Sequence, residues 1–230
     1  MILLDKIAFL KQYRKSIEFV SDKDLLHIEN GKIPGKWLEI FREADKFIQK
    51  DKLIALWKSV CEKELSNTIS YIKENLVELE LIIDNGEYAV LYSIKSEDEE
   101  IHYYEGGIST KSVLNDWVAF PEVIKAFYEE LHNGFYYFAS RAMGLVPFEH
   151  VTRFDDYEWG ILEELDEPLG INMEKTYGFF QSGMGGYVAI DLDNSMDDTA
   201  TLWFTNDQPE YNVSFWDVVD EWIVIGMQDN

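Results

Sequence analysis

The run VELELIIDNGEYAVLYSI, residues 77–94, restricts the fold more than any other stretch of the chain. Two apolar, β-rich segments flank Asp84-Asn85-Gly86-Glu87, and Asn-Gly is the strongest short signal for a two-residue hairpin turn. An isolated two-stranded ribbon is marginal in water, so other segments must cover or extend it. The residues before it are helical in pattern. Leu3, Ile7, Leu10 and Ile17 share one helical face, and Trp37, Ile40, Phe41, Ala44, Phe47 and Ile48 repeat that spacing in a helical stretch reaching toward Leu65. SEDEE (96–100) reads as a charged break, and Gly106-Gly107 with Ser109 to Ser112 as a loop or linker. A boundary near residue 110 follows, with 1–110 as helices plus a β-hairpin and 111–230 as a second α+β unit, or the two as one continuous domain.

Charge divides the chain at the same place. Residues 1–115 hold 16 Lys and Arg against 21 Asp and Glu, and residues 116–230 hold 4 against 23, nets of −5 and −19. Binding to nucleic acid rests on cations that neutralise phosphates, so nucleic acid is excluded as a partner and a basic protein is favoured. Cys61 is the only cysteine, which rules out an internal disulfide or a cysteine zinc cluster and suits a reducing, cytoplasmic setting. MILLDKIAFLKQYRK reads as an amphipathic helix and not a signal peptide, and no stretch has the ~20 apolar residues of a membrane span. The sequon Asn212-Val213-Ser214 therefore carries no meaning here.

The second half reads as helix, sheet, helix. Pro121 opens a helix whose Ile124, Phe127, Tyr128 and Leu131 share a face, and Asn133-Gly134 supplies a stop. TYGFFQS, GYVAIDL and TATLWF are strand-like. Ser214 and Asp217 form a Ser-x-x-Asp cap ahead of Trp216, Val219, Trp222 and Ile223. Phe120-Pro121 with His132-Asn133-Gly134, then Leu145-Val146-Pro147, the Gly-Gly strand into Asp191-Leu192, and Ser214-Phe215-Trp216 resemble, in that order, the SUKH superfamily. That superfamily is named partly for a yeast regulator of cell-wall synthesis. Its bacterial members are mostly immunity proteins that neutralise polymorphic toxins, often nucleases. The resemblance covers roughly the last half of the chain and implies a mixed sheet flanked by helices. It does not include residues 1–110 or the acidic stretch 155–167.

The catalytic motifs are incomplete. SGMGG (182–186) is followed by a strand and lacks the third glycine of a dinucleotide fingerprint, and no Gly-Lys-Ser/Thr occurs in the chain. It reads as a hairpin turn. Asp191 and Asp193 after an apolar strand are similar to the first motif of haloacid-dehalogenase-like phosphatases, but no Lys or Arg follows them to balance a phosphate. Asp191, Asp193, Ser195 and Asp197 occupy calcium-loop positions 1, 3, 5 and 7, yet Met196 and Leu202 stand where Gly and a bidentate Glu belong. His27, His102, His132 and His150 lack metal spacing and read as surface or cap residues. Ser182 lacks a nucleophile elbow, and Cys61 lies in a helix. Glu129-Glu130 and Glu163-Glu164 read as solvated faces.

Neither catalytic residues, cofactor nor metal site is expected. The leading reading is a non-catalytic protein-binding protein: a bacterial immunity protein whose acidic, aromatic-rich surface blocks a basic toxin domain. The partner-binding residues expected are Asp155, Asp156, Glu158, Glu163, Glu164, Asp166 and Glu167, seven carboxylates within thirteen residues, with Trp159 as an apolar anchor. The alternatives are a metal-dependent phosphohydrolase centred on Asp191 and Asp193, and a cytoplasmic scaffold without a toxin partner.

Overall fold

The computed structural model describes residues 3–29, 31–108, 117–194 and 198–228, with side chains from Lys6 onward. Ser109 to Ser112 of the expected linker, and Ser195 to Asp197 of the calcium-like loop, lie outside the described residues. Among the described residues, no helix is long and apolar enough to cross a membrane.

Helices lead the chain: α1 (Leu3–Tyr13), then α2 (Asp22–Leu25), α3 (Gly35–Phe41), α4 (Lys46–Cys61) and α5 (Ser66–Asn75). The helical stretch expected from Trp37 toward Leu65 is two helices. Asp45 breaks it by accepting hydrogen bonds from the Phe47 and Ile48 amides as the N-cap of α4. The break turns Phe47 outward, leaving it 84% exposed. The α1 face differs in part: Leu10 points inward as its spacing predicts, but Ile7 is only half-buried and Lys6 is buried.

One sheet takes up the remainder. A short β1 (Glu18–Phe19) edges β2 (Leu76–Asp84), which pairs with β3 (Glu87–Lys95) through the Asn85-Gly86 turn; both turn residues have positive φ, 52° and 89°. β4 (Ile101–Ile108) follows, then β5 (His132–Tyr137), β6 (Ala142–Leu145), β8 (Thr176–Gln181), β9 (Gly186–Asp191), β10 (Thr199–Phe204) and β11 (Glu210–Ser214), while β7 (Thr152–Arg153) pairs with β8. Every pairing among the described residues is antiparallel. The expected mixed sheet is corrected accordingly: successive strands are joined mostly by short connections, which reverse the chain without a crossover.

Gly106-Gly107 is not a linker but part of β4. A Cβ at Gly106 would stand 2.4 Å from the His132 ring, and one at Gly107 would stand 2.5 Å from the Asn133 carbonyl oxygen. His132-Asn133-Gly134 does end the preceding helix, the His132 amide donating to the Phe127 carbonyl as its C-cap, and the same residues begin β5. That helix is α6 (Glu122–Ala126), continued by a π turn over Phe127–Leu131. α7 (Phe215–Gln228) closes the chain, its first turn capped by the Ser214 hydroxyl, which accepts from the Asp217 amide at 3.3 Å.

Alternation along the strands sorts residues onto two faces. On one, Val90, Tyr92, Tyr104, Phe135, Phe180 and Val188 meet helical residues such as Trp37, Trp57, Phe127, Trp216 and Ile223 in the main core. On the other, α1 covers Ile82, Ala89, Leu91, Tyr103 and Phe138 at one end, and the segment around Phe154 and Trp159 covers Ala189 and Trp203 at the other. β4 pairs with β5, and the main core draws on Trp37 and Trp57 as well as Phe135 and Trp216, so sheet and core both run across residue 110. We expect the full chain to melt in one cooperative transition by circular dichroism. A fragment from Ser112 onward should be insoluble or melt without cooperativity, since it lacks β4 and leaves β5 as an open edge.

Candidate functional site

The acidic segment is fixed from beneath by aromatic packing. Phe154–Asp156 and Gly160–Glu163 form single 3₁₀ turns, and between them Trp159 turns inward. Its ring lies 4.9 Å from Phe154, 5.4 Å from Tyr187 and 5.5 Å from Trp203, and its Nε1–H donates to the Phe154 carbonyl at 2.7 Å. Trp159 is 8% exposed. It is the internal anchor of the segment and is not an exposed contact residue, because the strand face below it is apolar and needs a cover. Farther along, the Gln208 side chain donates to the Glu164 carbonyl at 2.9 Å and accepts from the Asp166 amide at 3.1 Å.

Asp155, Asp156, Glu158, Glu163, Glu164, Asp166 and Glu167 are all exposed. Asp155 pairs with Arg153 at 2.7 Å. The apolar groups displayed among the carboxylates are Tyr157, 61% exposed, and Leu162, 39% exposed. In the sequence Trp159 stands out as an apolar anchor because interface energy concentrates in a few aromatic or Arg residues. The available contrary signal was a second apolar residue, Ile161, two positions on: Trp159 and Ile161 both point inward.

Asp191 is brought together with Asp193, but in a loop tie. Its carboxylate accepts from the amides of Asn172 at 3.1 Å and Asp193 at 3.0 Å and from the Asn194 side chain, while Asp193 accepts from the Asn172 side chain. Asp191 is buried. A phosphoryl nucleophile needs a free oxygen and a cation facing the phosphate, and these oxygens are engaged by N–H donors. Among the described residues, no group of three or more His, Cys, Asp or Glu is placed to hold a metal ion. In the β8–β9 turn the Ser182 hydroxyl accepts from the amides of Met184 at 3.1 Å and Gly186 at 3.0 Å, with Gly183 and Gly185 at positive φ. Those two amides are thus directed at Ser182, in the geometry of a hairpin and not of an open phosphate cradle.

The histidines depart from expectation most at His132, which is fully buried; His102 is buried as well. His132 Nδ1 lies 3.1 Å from the Gly107 carbonyl, which can only accept, so Nδ1 carries the proton. Nε2 then accepts from the Tyr92 hydroxyl at 2.7 Å, and Tyr92 in turn accepts from Trp57 Nε1–H at 3.1 Å. Burial pulls the imidazole down to about 3, against a smaller opposing effect of the Gly107 hydrogen bond. The ring is neutral and saturated, a poor proton shuttle near pH 7. Burial also pushes the Cys61 thiol well up, away from nucleophilic thiolate. A groove of about 1260 Å³ opens near the β2–β3 turn, lined by the carboxylates of Asp84, Glu105 and Glu149 and by Arg141.

Comparison with family models, with curated proteins and with solved structures finds no match to this chain.

Trp159→Ala is expected to cost about 3–5 kcal/mol of stability in urea denaturation, the usual range for deleting a buried Trp; a loss below about 0.5 kcal/mol would mean that the ring is dispensable to the core. For His132, the folded pKa of about 3 lies below the ordinary 6.5. Its contribution to stability is therefore full above pH 6.5 and lost as pH falls toward 3, with a slope of at most about 1.4 kcal/mol per pH unit. NMR of the imidazole C2–H in the folded protein should show no titration between pH 8 and pH 5.

Proposed function

We propose that the protein is a non-catalytic binding protein of the SUKH type, an immunity protein that neutralises a basic toxin domain in the cytoplasm. One observation carries this reading: seven carboxylates of 155–167 are exposed together on a segment whose underside is locked by Phe154, Trp159 and Trp203. Ordering this segment on folding brings like charges together, and a cationic surface relieves that repulsion. Because the frame is already ordered, little conformational entropy is lost when a partner docks. Tyr157 and Leu162, exposed among the charges, supply the apolar contacts that fix the dissociation rate, while the carboxylates accelerate encounter.

The test is surface plasmon resonance at two ionic strengths against the partner co-purified from the native host and identified by mass spectrometry. The partner should be basic, and association should slow as salt rises. Asp155→Asn with Asp156→Asn should slow association and flatten its salt dependence. Tyr157→Ala should act on dissociation. An association rate indifferent to salt would sink the electrostatic reading.

A further inference from the structure

The acidic segment has two parts that are held differently. Up to Ile161 it is fixed by aromatic packing against the sheet. Among residues 162–170 none is buried, and Leu165 and Leu169 lean, half-buried, on the cluster of Phe154, Trp159 and Trp203. Glu163, Glu164, Asp166 and Glu167 place four carboxylates within five positions, and no Lys or Arg occurs between Arg153 and Lys175. Like charges this close favour a spread chain. Something other than burial keeps this second part in place.

The Gln208 carboxamide does so from outside the segment, on the connection between β10 and β11. Its Nε2 donates to the Glu164 carbonyl at 2.9 Å and its Oε1 accepts from the Asp166 amide at 3.1 Å, so the two hydrogen bonds clasp the main chain on either side of Leu165. Leu165 is half-buried, whereas Glu164 and Asp166 are exposed. Gln208 is itself fixed: its amide donates to the Asp207 side chain at 2.8 Å, and the Thr205 amide ties the same connection to the Gly185 carbonyl at 3.0 Å. A second tie follows at Gly170. Its amide donates to the Tyr211 hydroxyl at 3.2 Å, and a Cβ there would stand 3.2 Å from the Tyr211 ring. Glutamine suits the clasp because its tip carries a donor and an acceptor together. Glutamate keeps the shape but loses the donor and adds a charge.

We infer that Gln208 is a positioning residue of the acidic surface: its carboxamide holds Glu163, Glu164, Asp166 and Glu167 in their displayed arrangement against their mutual repulsion. This role rests on the reading of 155–167 as a partner-binding surface for its effect on binding, and on geometry alone for its effect on the segment. Gln208 carries no charge and so adds nothing to long-range attraction. Its contribution is preorganisation, since carboxylates already in place lose less freedom on docking and hold their contacts longer. Asp155 and Asp156 differ in acting through charge on the encounter.

Gln208→Ala and Gln208→Glu in the full chain test this role by two measurements. In native-state hydrogen exchange, the Asp166 amide should exchange about ten-fold faster in Gln208→Ala, the effect of losing one ordinary hydrogen bond, while amides of β8 and β9 keep their protection. Gln208→Glu should exchange as fast, because it sets a carboxylate oxygen against the Glu164 carbonyl. Wild-type exchange at Asp166 in Gln208→Ala would overturn the positioning role, and wild-type exchange in Gln208→Glu would show that shape and not the donor holds the segment, which also overturns it. In surface plasmon resonance against the co-purified basic partner, Gln208→Ala should raise the dissociation rate about five-fold and leave the association rate and its salt dependence unchanged. Faster exchange with an unchanged dissociation rate would overturn the part of Gln208 in binding. If wild-type association is itself indifferent to salt, the electrostatic reading of the segment fails, while the exchange measurement still decides whether Gln208 holds it.

Discussion

The His132 imidazole lies where the two halves of the chain meet, and its hydrogen bonds connect four elements: Trp57 of α4 donates to Tyr92 of β3, Tyr92 donates to His132 of β5, and His132 donates to the Gly107 carbonyl of β4. The ring rests on Gly106, where any side chain would collide with it, and it is bracketed by Trp37, Trp57 and Phe135. Each polar group in this row has a partner, so none pays the cost of burial unmatched. The row also fixes the register between strands on either side of residue 110. A one-residue slip would turn Tyr92 and His132 to the other face and leave both without partners. Sheet continuity, and with it the covering of both faces, depends on that match.

The parts of the fold legible in the sequence were those set by local chemistry. Asn85-Gly86 reads as a hairpin because both residues accept positive φ, SGMGG reads as a turn for the same reason at Gly183 and Gly185, and Ser214 caps α7 through its own hydroxyl. What was illegible depends on distant partners. The Gly106-Gly107 end of β4 looked like a linker because its glycines are required by His132 and Asn133, residues more than twenty positions away. His132 does cap the helix before it, but nothing nearby indicates that Tyr92 and Gly107 would also enclose its ring. On α1, hydrophobic spacing favoured Ile7 as an inward residue, whereas Lys6 is buried, a choice made by the carboxylates of β2, which no local pattern shows.

The candidate site divides in the same way. The exposure of the seven carboxylates of 155–167 follows from their charge. The direction of Trp159 does not follow from its neighbours, since it is determined by the apolar cavity between Phe154, Tyr187 and Trp203. The Asp191-x-Asp193 pair shows the reverse ambiguity. A sequence motif that suits a nucleophile is, in the folded chain, a set of acceptors for Asn172 and Asn194.

Both ends of the second sheet face are thus covered by short segments, but with opposite consequences for charge. Over β2 to β5 the sheet carries the carboxylates and the covering helix carries Lys6 and Arg14, so the charges meet and cancel out of sight. Over β8 to β10 the sheet offers Ala189 and Trp203, the cover answers with Phe154, Trp159 and Ile161, and its carboxylates have no place except outward. The basic residues are concentrated in the first 115 positions, and after Lys175 there are none. The chain therefore neutralises its acidity internally at one end of the sheet and displays it at the other.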